Sequence, residues 1–253
     1  MKRLLGNVTL ITGGGKGIGY GLAEAFAEQG SNLVITGRTE SRLVAAKQKL
    51  EEKYGVEVLP IVADGADEQA IKNVVAKTIE KFGKLNTLVN NAQVSKSGTP
   101  LVEHTKEDFD LAIYSGLYAA FFYMRECFPY LKESKGSIVN MGSAAGIAGL
   151  QGFASYAAGK EAIRGLTRVA ATEWSVHGIN TNTICPSVAS DALKEWAAIH
   201  PEEAAAIMAG TPMRAFADAE QNVGGTCLFL CSPEAKFITG RNFDVDGGQY
   251  LRP

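Results

Sequence analysis

Short apolar segments alternate with amphipathic helical segments along the whole sequence, and this alternation limits the fold more narrowly than any other feature. Strand-like apolar segments are predicted at residues 8–12, 32–36, 56–62, 85–90, 137–141, 179–185 and 243–245. Helical segments are predicted between them at residues 20–28, 42–54, 67–82, 105–131, 154–177 and 218–231. Strands that alternate with helices form parallel βαβ units. The sequence therefore predicts an α/β fold, a doubly wound parallel sheet of about seven strands with helices on both faces.

Length and composition are consistent with a single domain over residues 1–253. The chain has 253 residues, 46% of them hydrophobic, so it can bury a large core, and no linker or repeat divides it. The net charge is −2, with 25 basic and 27 acidic residues mixed along the chain, which argues against nucleic acid or an anionic membrane surface as a partner. No apolar run reaches the roughly 20 residues that a membrane-spanning helix needs.

The cysteines indicate neither a metal site nor disulfide bonds. They are Cys127, Cys185, Cys227 and Cys231. Only the last two are close in sequence, and no histidine or second cysteine pair accompanies them as a zinc site would require. We expect buried thiols in a reducing cytoplasm and no metal. The N-terminus also lacks a signal-peptide cleavage site, which agrees with a cytoplasmic location.

A glycine-rich loop, TGGGKGIG, separates the first predicted strand from the first helix. Gly13, Gly17 and Gly19 are spaced G-x-x-x-G-x-G, a variant of the G-x-G-x-x-G spacing of dinucleotide-binding loops. Glycines allow a tight turn and let backbone N–H groups and the helix N-terminus approach a pyrophosphate. Glycine loops also occur simply as turns. The position directly after the first strand favours a Rossmann-type cofactor site, to which we also assign Ile18.

A second candidate site lies between Gly142 and Lys160. If Tyr156 and Lys160 lie on a helix, their i,i+4 spacing places the phenol and the ammonium on one face. A nearby ammonium favours the phenolate and so lowers the tyrosine pKa, which is one way to obtain an acid/base group at neutral pH. Ser143 is placed to hydrogen-bond a substrate oxygen. The Tyr-x-x-x-Lys pattern alone is common on helix surfaces.

Five motifs follow one another over essentially the whole chain: TGGGKGIG, Asn90–Ala92 (NNA), Ser143, Tyr156–Lys160 (YAAGK) and Asp246–Gly248 (DGG). In this order and with these gaps, they resemble the motifs of the short-chain dehydrogenase/reductase family. The resemblance implies an oxidoreductase in which Tyr156 donates a proton to the carbonyl oxygen during reduction and Ser143 stabilises that oxygen. It also implies that Lys160 lowers the Tyr156 pKa and holds the nicotinamide ribose.

The same resemblance assigns further residues to the cofactor. It implies that Asn91 lines the cofactor cleft, that Asp64 contacts the adenine and that the backbone near Ala189 binds the carboxamide. It also places Tyr156 and Lys160 within reach of the cofactor. Taken alone, Asp64 would be interpreted as a turn carboxylate.

The end of the second strand predicts the choice of cofactor. Sites for NAD place an acidic residue there to bind the ribose 2′-hydroxyl, but this strand ends Ile35-Thr36-Gly37-Arg38, with no acid before Glu40. Arg38 offers a planar fork for a 2′-phosphate, and Lys16 adds a second cation from the glycine loop. The alternative is two solvated surface cations. We predict NADP(H).

The sequence departs from the family pattern at three positions. Gln93 follows NNA where the family has glycine, and Gly116 stands where the family has a catalytic asparagine that helps to anchor a proton-relaying water. The third departure is Ser187, which replaces a glycine after Pro186. Gly116 leaves room for an additional water, or Ser115 substitutes imperfectly for the asparagine, so the relay is in doubt.

Within the family, three segments are similar to those of bacterial NADP-dependent 12α-hydroxysteroid dehydrogenases. They are NNAQ, FDLAIYSGLYAAFFYMRECFPYLKES and GGQYLRP. The similarity implies a small apolar alcohol or ketone substrate, a steroid of the bile-acid class. We interpret residues 187–216 as a lid over a bulky substrate, although without the resemblance ordinary helix packing would be the simpler interpretation. Apolar residues of this segment include Leu193, Trp196, Ala197, Ala198, Ile207 and Met208.

Two alternatives remain open. The first is a reductase of 3-oxoacyl thioesters or general ketones from the same family, but an acyl-carrier-protein partner favours basic residues around the cleft, and the lid offers only Lys194 and Arg214. The second is a non-catalytic nucleotide-binding sensor, motivated by Gln93 and Gly116, against which the intact Ser-Tyr-Lys set argues. The family resemblance further implies a homotetramer with the C-terminal GGQYLRP at a subunit interface.

Overall fold

The computed structural model describes residues 2–189 and 197–251, and a seven-stranded sheet forms its centre. All strand pairs are parallel, and the strand order is β3-β2-β1-β4-β5-β6-β7. The strands are β1 (Val8–Thr12), β2 (Asn32–Gly37), β3 (Val58–Val62), β4 (Thr87–Asn90), β5 (Ser137–Met141), β6 (Asn180–Pro186) and β7 (Asn242–Val245). The predicted α/β class, a doubly wound Rossmann-type parallel sheet, is confirmed.

Helices connect the strands and cover the sheet. Two π-helical turns, Ile113–Tyr118 and Ala219–Gly224, lead directly into the helices that follow them. The α-helices of the described residues are α1 (Gly17–Glu28), α2 (Glu40–Tyr54), α3 (Glu68–Phe82), α4 (Lys106–Ala112), α5 (Ala119–Ser134), α6 (Ala144–Ala148), α7 (Ala154–Trp174), α8 (Pro201–Ala209) and α9 (Gly225–Leu230).

Successive residues of the central strands enter two hydrophobic cores, one on each face of the sheet. In β1, Ile11 belongs to the core that contains Phe26 of α1, whereas its neighbour Leu10 belongs to the core that contains Val74 of α3. Side chains alternate between the two faces of a strand, so both residues are buried by helices on opposite sides. This arrangement explains why consecutive residues such as Leu10 and Ile11 are both apolar, instead of alternating with polar residues.

The order of the strands reverses at β1. This strand pairs with β2 on one side and with β4 on the other, so the connections that follow β1 and β4 run in opposite directions. A crevice opens at the carboxyl ends of strands at such a switch point, and open α/β sheets bind ligands there. The glycine loop after β1 and the Asn91 loop after β4 therefore begin at the same edge.

The long helix predicted at residues 105–131 is interrupted. Thr105 and Asp108 form a capping box that begins α4, but the π-helical turn separates α4 from α5, which ends at Ser134. A π turn holds more residues than an α turn, and a search for 3.6-residue periodicity does not detect the extra residue. The helix predicted at 218–231 is divided for the same reason, with the π turn Ala219–Gly224 before α9.

Part of the predicted lid, residues 187–216, lies outside the described residues, including Leu193, Lys194 and Trp196. The described part contains α8. Backbone hydrogen bonds join the segment that follows α8 to residues just beyond the ends of β6 and β7. The Met213 N–H donates to the Gly247 carbonyl at 3.1 Å, and the Ala217 N–H donates to the Ser187 carbonyl at 2.9 Å.

No helix in the part of the chain that the structure describes is both long enough and apolar enough to cross a membrane. The four cysteines are buried, and no disulfide bond joins any two of them.

Gly21 of α1 faces the π turn Ala219–Gly224 without room for a side chain. A Cβ at Gly21 would lie 2.6 Å from the Cβ of Ala219 and 2.9 Å from its carbonyl carbon. We expect Gly21→Ala to lower the free energy of unfolding by about 1–3 kcal/mol, the usual cost of overpacking. Urea denaturation measures this change.

Gly225→Ala is the matched control for this prediction. No atom of a neighbouring element lies within 4 Å of the Cβ position at helical Gly225. This substitution should be neutral or stabilising by up to about 1 kcal/mol, because alanine favours helix over glycine. Equal destabilisation by both changes would contradict a specific close approach at Gly21.

Candidate active site

A cleft of about 1110 Å³ opens at the carboxyl edge of the sheet beside β1, β2 and β4. This volume is slightly above the usual range of about 300–1,000 Å³ for small-molecule pockets, which suits a ligand as large as a dinucleotide. The cleft brings together most of the predicted cofactor residues. They are Gly13, Lys16, Gly17, Ile18, Gly19, Arg38, Asp64, Asn91 and Ala189. Tyr156 and Lys160, which were also predicted to reach the cofactor, are not among the residues that line this cleft.

The glycine loop leaves its backbone exposed to a ligand. A Cβ at Gly19 would lie 2.2 Å from the Gly13 carbonyl oxygen, and Gly13 and Gly17 have φ values of +71° and +54° that favour glycine. Helix α1 begins at Gly17, and its N-cap residue Lys16 supplies no side-chain hydrogen bond to the first turn. The first N–H groups of α1 can therefore bind an anion. The residues present fit a pyrophosphate.

Three cations meet in the cleft at the end of β2. Arg38 and Lys16 were predicted from the sequence, and Arg42, in the first turn of α2, joins them. All three are exposed, and none forms an ion pair with another of the described residues. Arg42 could have been found from the sequence, because it begins the predicted helix that follows β2, four residues after Arg38. Their charges are available to a bound phosphate.

Asn91 and Asp64 hold backbone turns at the wall of the cleft. Asn91 donates its side-chain amide to the Thr12 carbonyl at 2.9 Å, and its backbone N–H donates to the Thr12 hydroxyl at 2.9 Å. Asp64 accepts from the Ala66 N–H at 3.0 Å and lines the cleft as well. Asp64 is thus both a turn carboxylate and a cleft residue. Sequence reasoning did not identify Thr12, because its role depends on the pairing of β1 with β4.

Ser143, Tyr156 and Lys160 are brought together at the carboxyl end of β5. Ser143 caps α6, where its hydroxyl accepts from the Ala145 N–H at 3.1 Å, and it lies close enough to the Tyr156 hydroxyl to act on the pKa of that phenol. Lys160 lies one turn further along α7 and is only 4% exposed. Its ammonium donates to the Met141 carbonyl at 2.7 Å and lies 5.6 Å from the centroid of the Tyr156 ring. Helix α6, which positions Ser143, was not predicted.

Burial moves the two titrating groups of this set in opposite directions. Desolvation raises the pKa of Tyr156, and Ser143 opposes that shift. Desolvation also lowers the pKa of Lys160 to about 8. The net direction for Tyr156 is opposite to the lowering expected from Lys160. The Lys160 ammonium is itself desolvated and hydrogen-bonded to the Met141 carbonyl. Its lowering effect on the Tyr156 pKa is smaller than the raising effect of burying the phenol.

Two of the three positions that depart from the family pattern, Gln93 and Gly116, are in contact with each other. Gly116 is buried within the π turn, and the side chain of Gln93 lies directly against it. Ser187 donates its hydroxyl to the Gln249 side-chain oxygen at 3.0 Å, which links the end of β6 to the C-terminal residues. Among the described residues, no group of three or more His, Cys, Asp or Glu side chains could hold a metal ion.

Comparison with known families agrees with this geometry. The sequence profile of a family described as enoyl-(acyl carrier protein) reductase matches residues 13–249. A 12α-hydroxysteroid dehydrogenase from Clostridium sp. is 49% identical over 254 residues, covering 98% of each chain. A 3-oxoacyl-(acyl-carrier-protein) reductase from Thermotoga maritima is 33% identical over 97% of this chain and 98% of its own.

A solved structure has the same fold over nearly the full length. The structure of an NAD⁺-bound xylitol dehydrogenase superposes with a TM-score of 0.89 at 27% identity, covering 98% of this chain and all of the other.

We expect the buried ammonium of Lys160 to make stability rise with pH. Its pKa falls from 10.5 to about 8 on folding, so between these values the unfolded chain binds a proton that the folded chain does not. The free energy of unfolding should therefore increase through this range, by on the order of 3 kcal/mol from this group. Lys160→Met should remove that increase, as measured by urea unfolding at a series of pH values.

Lys49→Met serves as the control, because Lys49 is exposed on α2. Its pH dependence of stability should match that of the unmodified protein. Parallel curves for the unmodified protein and Lys160→Met would contradict a depressed Lys160 pKa.

Proposed function

Because the chain belongs to the short-chain dehydrogenase/reductase family, oxidoreductases that act on hydroxyl groups with a nicotinamide cofactor, we propose that it interconverts a secondary alcohol and a ketone with NADP(H). We further propose that its substrate is a 12α-hydroxysteroid of the bile-acid class. One observation carries the catalytic part of the proposal: Ser143, Tyr156 and Lys160 converge at the carboxyl end of β5, on the same edge of the sheet as the cleft of dinucleotide size.

The cleft residues have complementary roles in holding the cofactor. The glycine loop and the N-terminus of α1 bind the pyrophosphate, while Arg38, Lys16 and Arg42 bind the 2′-phosphate that distinguishes NADP from NAD. Asp64 contacts the adenine, Asn91 holds the cleft wall, and the backbone at Ala189 meets the carboxamide. When bound, the nicotinamide supplies or accepts the hydride.

The chain's own residues handle the proton. Ser143 donates a hydrogen bond to the substrate oxygen, and Tyr156 gives its phenolic proton to that oxygen during ketone reduction and takes it back during alcohol oxidation. A raised pKa keeps the phenol protonated at neutral pH, which suits the reducing direction. Lys160 provides the nearby positive charge that stabilises the phenolate left behind and holds the nicotinamide ribose.

The steroid substrate is supported by similarity and by charge. The relative that is 49% identical is a 12α-hydroxysteroid dehydrogenase. The main alternative is a 3-oxoacyl-thioester reductase or general ketone reductase, as in the relative from Thermotoga maritima. An acidic carrier protein would need basic residues near the substrate, yet the wall formed by α4 presents Glu107 and Asp110, and the cations of the cleft, Lys16, Arg38 and Arg42, are assigned to the cofactor. The intact Ser-Tyr-Lys set argues against a non-catalytic sensor.

We also propose a domain organisation, a substrate lid, an oligomeric state and a location in the cell. A single domain over residues 1–253 is supported by one sheet whose strands extend from β1 to β7. Residues 187–216 act as the substrate lid in this proposal. A homotetramer is supported by an exposed apolar surface along α4 and α5, and we propose a cytoplasmic location. Large exposed residues of that surface are Leu111 of α4, Tyr114 and Tyr118 of the intervening π turn and Phe121 of α5; Leu111 and Tyr114 also line the cleft.

An absorbance assay with NADP⁺ tests the substrate. Two bile acids that differ only in the 12α-hydroxyl are compared, and we expect cofactor reduction with the 12α-hydroxylated one alone. Tyr156→Phe should reduce the rate by about 10²–10⁴-fold while NADPH still binds, because positioned proton transfer contributes about that much. Activity with both compounds would place the oxidation elsewhere on the steroid, and no activity with either would overturn the steroid assignment.

Substitution of Arg38 tests the cofactor. Arg38→Asp removes a charged donor and adds a repulsive carboxylate, so the KM for NADP should rise by roughly tenfold or more while NAD becomes the better cofactor. Lys49→Asp, at an exposed residue of α2 that does not line the cleft, makes the same charge change and should leave both KM values unaltered. An unchanged KM for NADP in Arg38→Asp would refute the 2′-phosphate site.

A further inference from the structure

Ser187 connects three segments of the chain at the carboxyl end of β6. Its N–H donates to the Val245 carbonyl at 2.9 Å, which continues the pairing of β6 with β7. Its carbonyl accepts from the Ala217 N–H at 2.9 Å, on the segment that follows α8, and its hydroxyl donates to the Gln249 side-chain oxygen at 3.0 Å. The three hydrogen bonds of this residue therefore lead to β7, to the segment after α8 and to the C-terminal residues.

The bond of the hydroxyl is a feature of this chain, because the family pattern has glycine at position 187. Glycine would keep both backbone bonds but has no side chain to offer to Gln249. The hydroxyl thus adds a link between two residues that are 62 positions apart in the sequence. The departure at this position is matched by a partner elsewhere in the chain.

Gln249 extends from a turn that a buried carboxylate organises. The Asp246 carboxylate accepts from the Gly248 N–H and from the Tyr250 N–H, each at 2.9 Å, and Asp246 is only 6% exposed. The Gln249 N–H itself donates to the Asp246 carbonyl at 3.2 Å. Hydrogen bonds to a carboxylate are stronger than those between neutral groups, so the backbone on both sides of Gln249 is held firmly. The glutamine side chain is presented to Ser187 from a fixed turn.

The same turn packs tightly against the segment that follows α8. The Gly247 carbonyl accepts from the Met213 N–H at 3.1 Å. A Cβ at Gly247 would lie 2.9 Å from the Thr211 Cγ2, and a Cβ at Gly248 would lie 3.2 Å from the Pro212 Cγ. The C-terminal turn therefore rests on the body of the protein at several points and can serve as an anchor.

Ser187 precedes the two residues, Val188 and Ala189, with which the chain enters the cofactor cleft after β6. Strand β6 pairs with β5, and the Gly142 N–H, just beyond β5, donates to the Ile184 carbonyl at 2.8 Å. The chain therefore leaves β6 beside the end of β5, which leads to the candidate acid/base set. A backbone at this junction borders both the cleft and the catalytic side chains.

We propose that Ser187 and Gln249 are positioning residues for the nicotinamide half of the cofactor. Their hydrogen bond fixes the backbone at Val188 and Ala189 relative to the sheet, and this backbone meets the carboxamide in the proposed function, on which the inference rests. Neither Ser187 nor Gln249 is among the residues that line the cleft, so both act through the backbone. The adenosine half is held at the other end of the cleft and is independent of this bond.

The first test needs neither cofactor nor substrate. Gln249→Leu removes the acceptor of the Ser187 hydroxyl with little change in volume, so the segment should open more often. Hydrogen exchange of the Ser187 and Ala217 N–H groups should become about two- to tenfold faster, as expected for the loss of one hydrogen bond. The Gly142 N–H, bonded at the same edge of the sheet, should exchange at an unchanged rate. Unchanged exchange at Ser187 and Ala217 overturns the proposal.

The second test separates the two halves of the cofactor by titration calorimetry. NADP⁺ is compared with adenosine 2′,5′-bisphosphate, which carries the 2′-phosphate but no nicotinamide. Ser187→Ala should weaken the binding of NADP⁺ by about two- to tenfold and leave the affinity for the bisphosphate unaltered. Equal losses for both ligands would mean a general disturbance of the cleft, and unaltered NADP⁺ binding would mean no effect on the nicotinamide; either result overturns the positioning role.

Ser175→Ala is the matched control for the calorimetry. Ser175 is exposed and precedes the amino end of β6, at the edge of the sheet opposite to the cleft. The same side-chain oxygen is removed there, and neither ligand should bind with a different affinity. A loss of NADP⁺ affinity in Ser175→Ala equal to that in Ser187→Ala would contradict a local effect of the Ser187 bond.

Turnover tests whether the two residues act through their common bond. A less well-placed nicotinamide transfers hydride more slowly, so Ser187→Ala and Gln249→Leu should each lower kcat by about ten- to a hundredfold. The double variant should be no slower than either single one, because the first change already breaks the bond. Additive losses would overturn the proposal. If the unmodified protein neither binds NADP⁺ nor oxidises the 12α-hydroxysteroid, the proposed function fails, while hydrogen exchange still decides whether the bond holds the segment.

Discussion

The hydrogen bonds of Thr12 to the loop after β4 are the interaction on which the candidate site depends. The Thr12 hydroxyl accepts from the N–H groups of Asn91 and Ala92, and its carbonyl accepts from the Asn91 amide, each at 2.9 Å. These bonds join the two strands at which the sheet reverses its order. They hold the glycine loop and the Gln93 loop together at one cleft. Without the hydroxyl, two N–H groups at this junction would lose their acceptor, at a cost of about 1–3 kcal/mol for each one left buried.

A second set of buried polar contacts places helix α7 on the sheet. The Asn90 amide donates to the Asn140 side-chain oxygen at 2.8 Å, the Asn140 amide donates to the Thr167 hydroxyl at 2.9 Å, and the Thr183 hydroxyl bonds Thr167 at 3.1 Å. The network crosses β4, β5 and β6 and ends on α7 two turns beyond Lys160. Directional bonds specify the rotation of the helix, which apolar packing alone would leave less defined. These bonds therefore fix the position of α7 and of the catalytic side chains that it carries.

The electrostatics of the site follow from the same burial. Desolvation penalises the charged form of each group, so it raises the pKa of Tyr156 and lowers that of Lys160. Each shift opposes the ionisation that an ammonium–phenolate pair requires. A polar group that stabilises the ammonium therefore affects the acid/base pair, even when it contacts neither the phenol nor the substrate.

The sequence by itself determined the parallel α/β sheet, the glycine loop and the Ser143, Tyr156 and Lys160 spacing, because periodicity and short motifs depend on neighbours along the chain. Only the tertiary structure decided the direction of the Tyr156 pKa shift, the interruption of the long helix and the partner of Gly116. These depend on how deeply a group is buried and on which side chain arrives from another element. Gln93 and Gly116 were separate irregularities in the sequence, and the fold makes them a single packing unit, because the loop after β4 lies against the π turn.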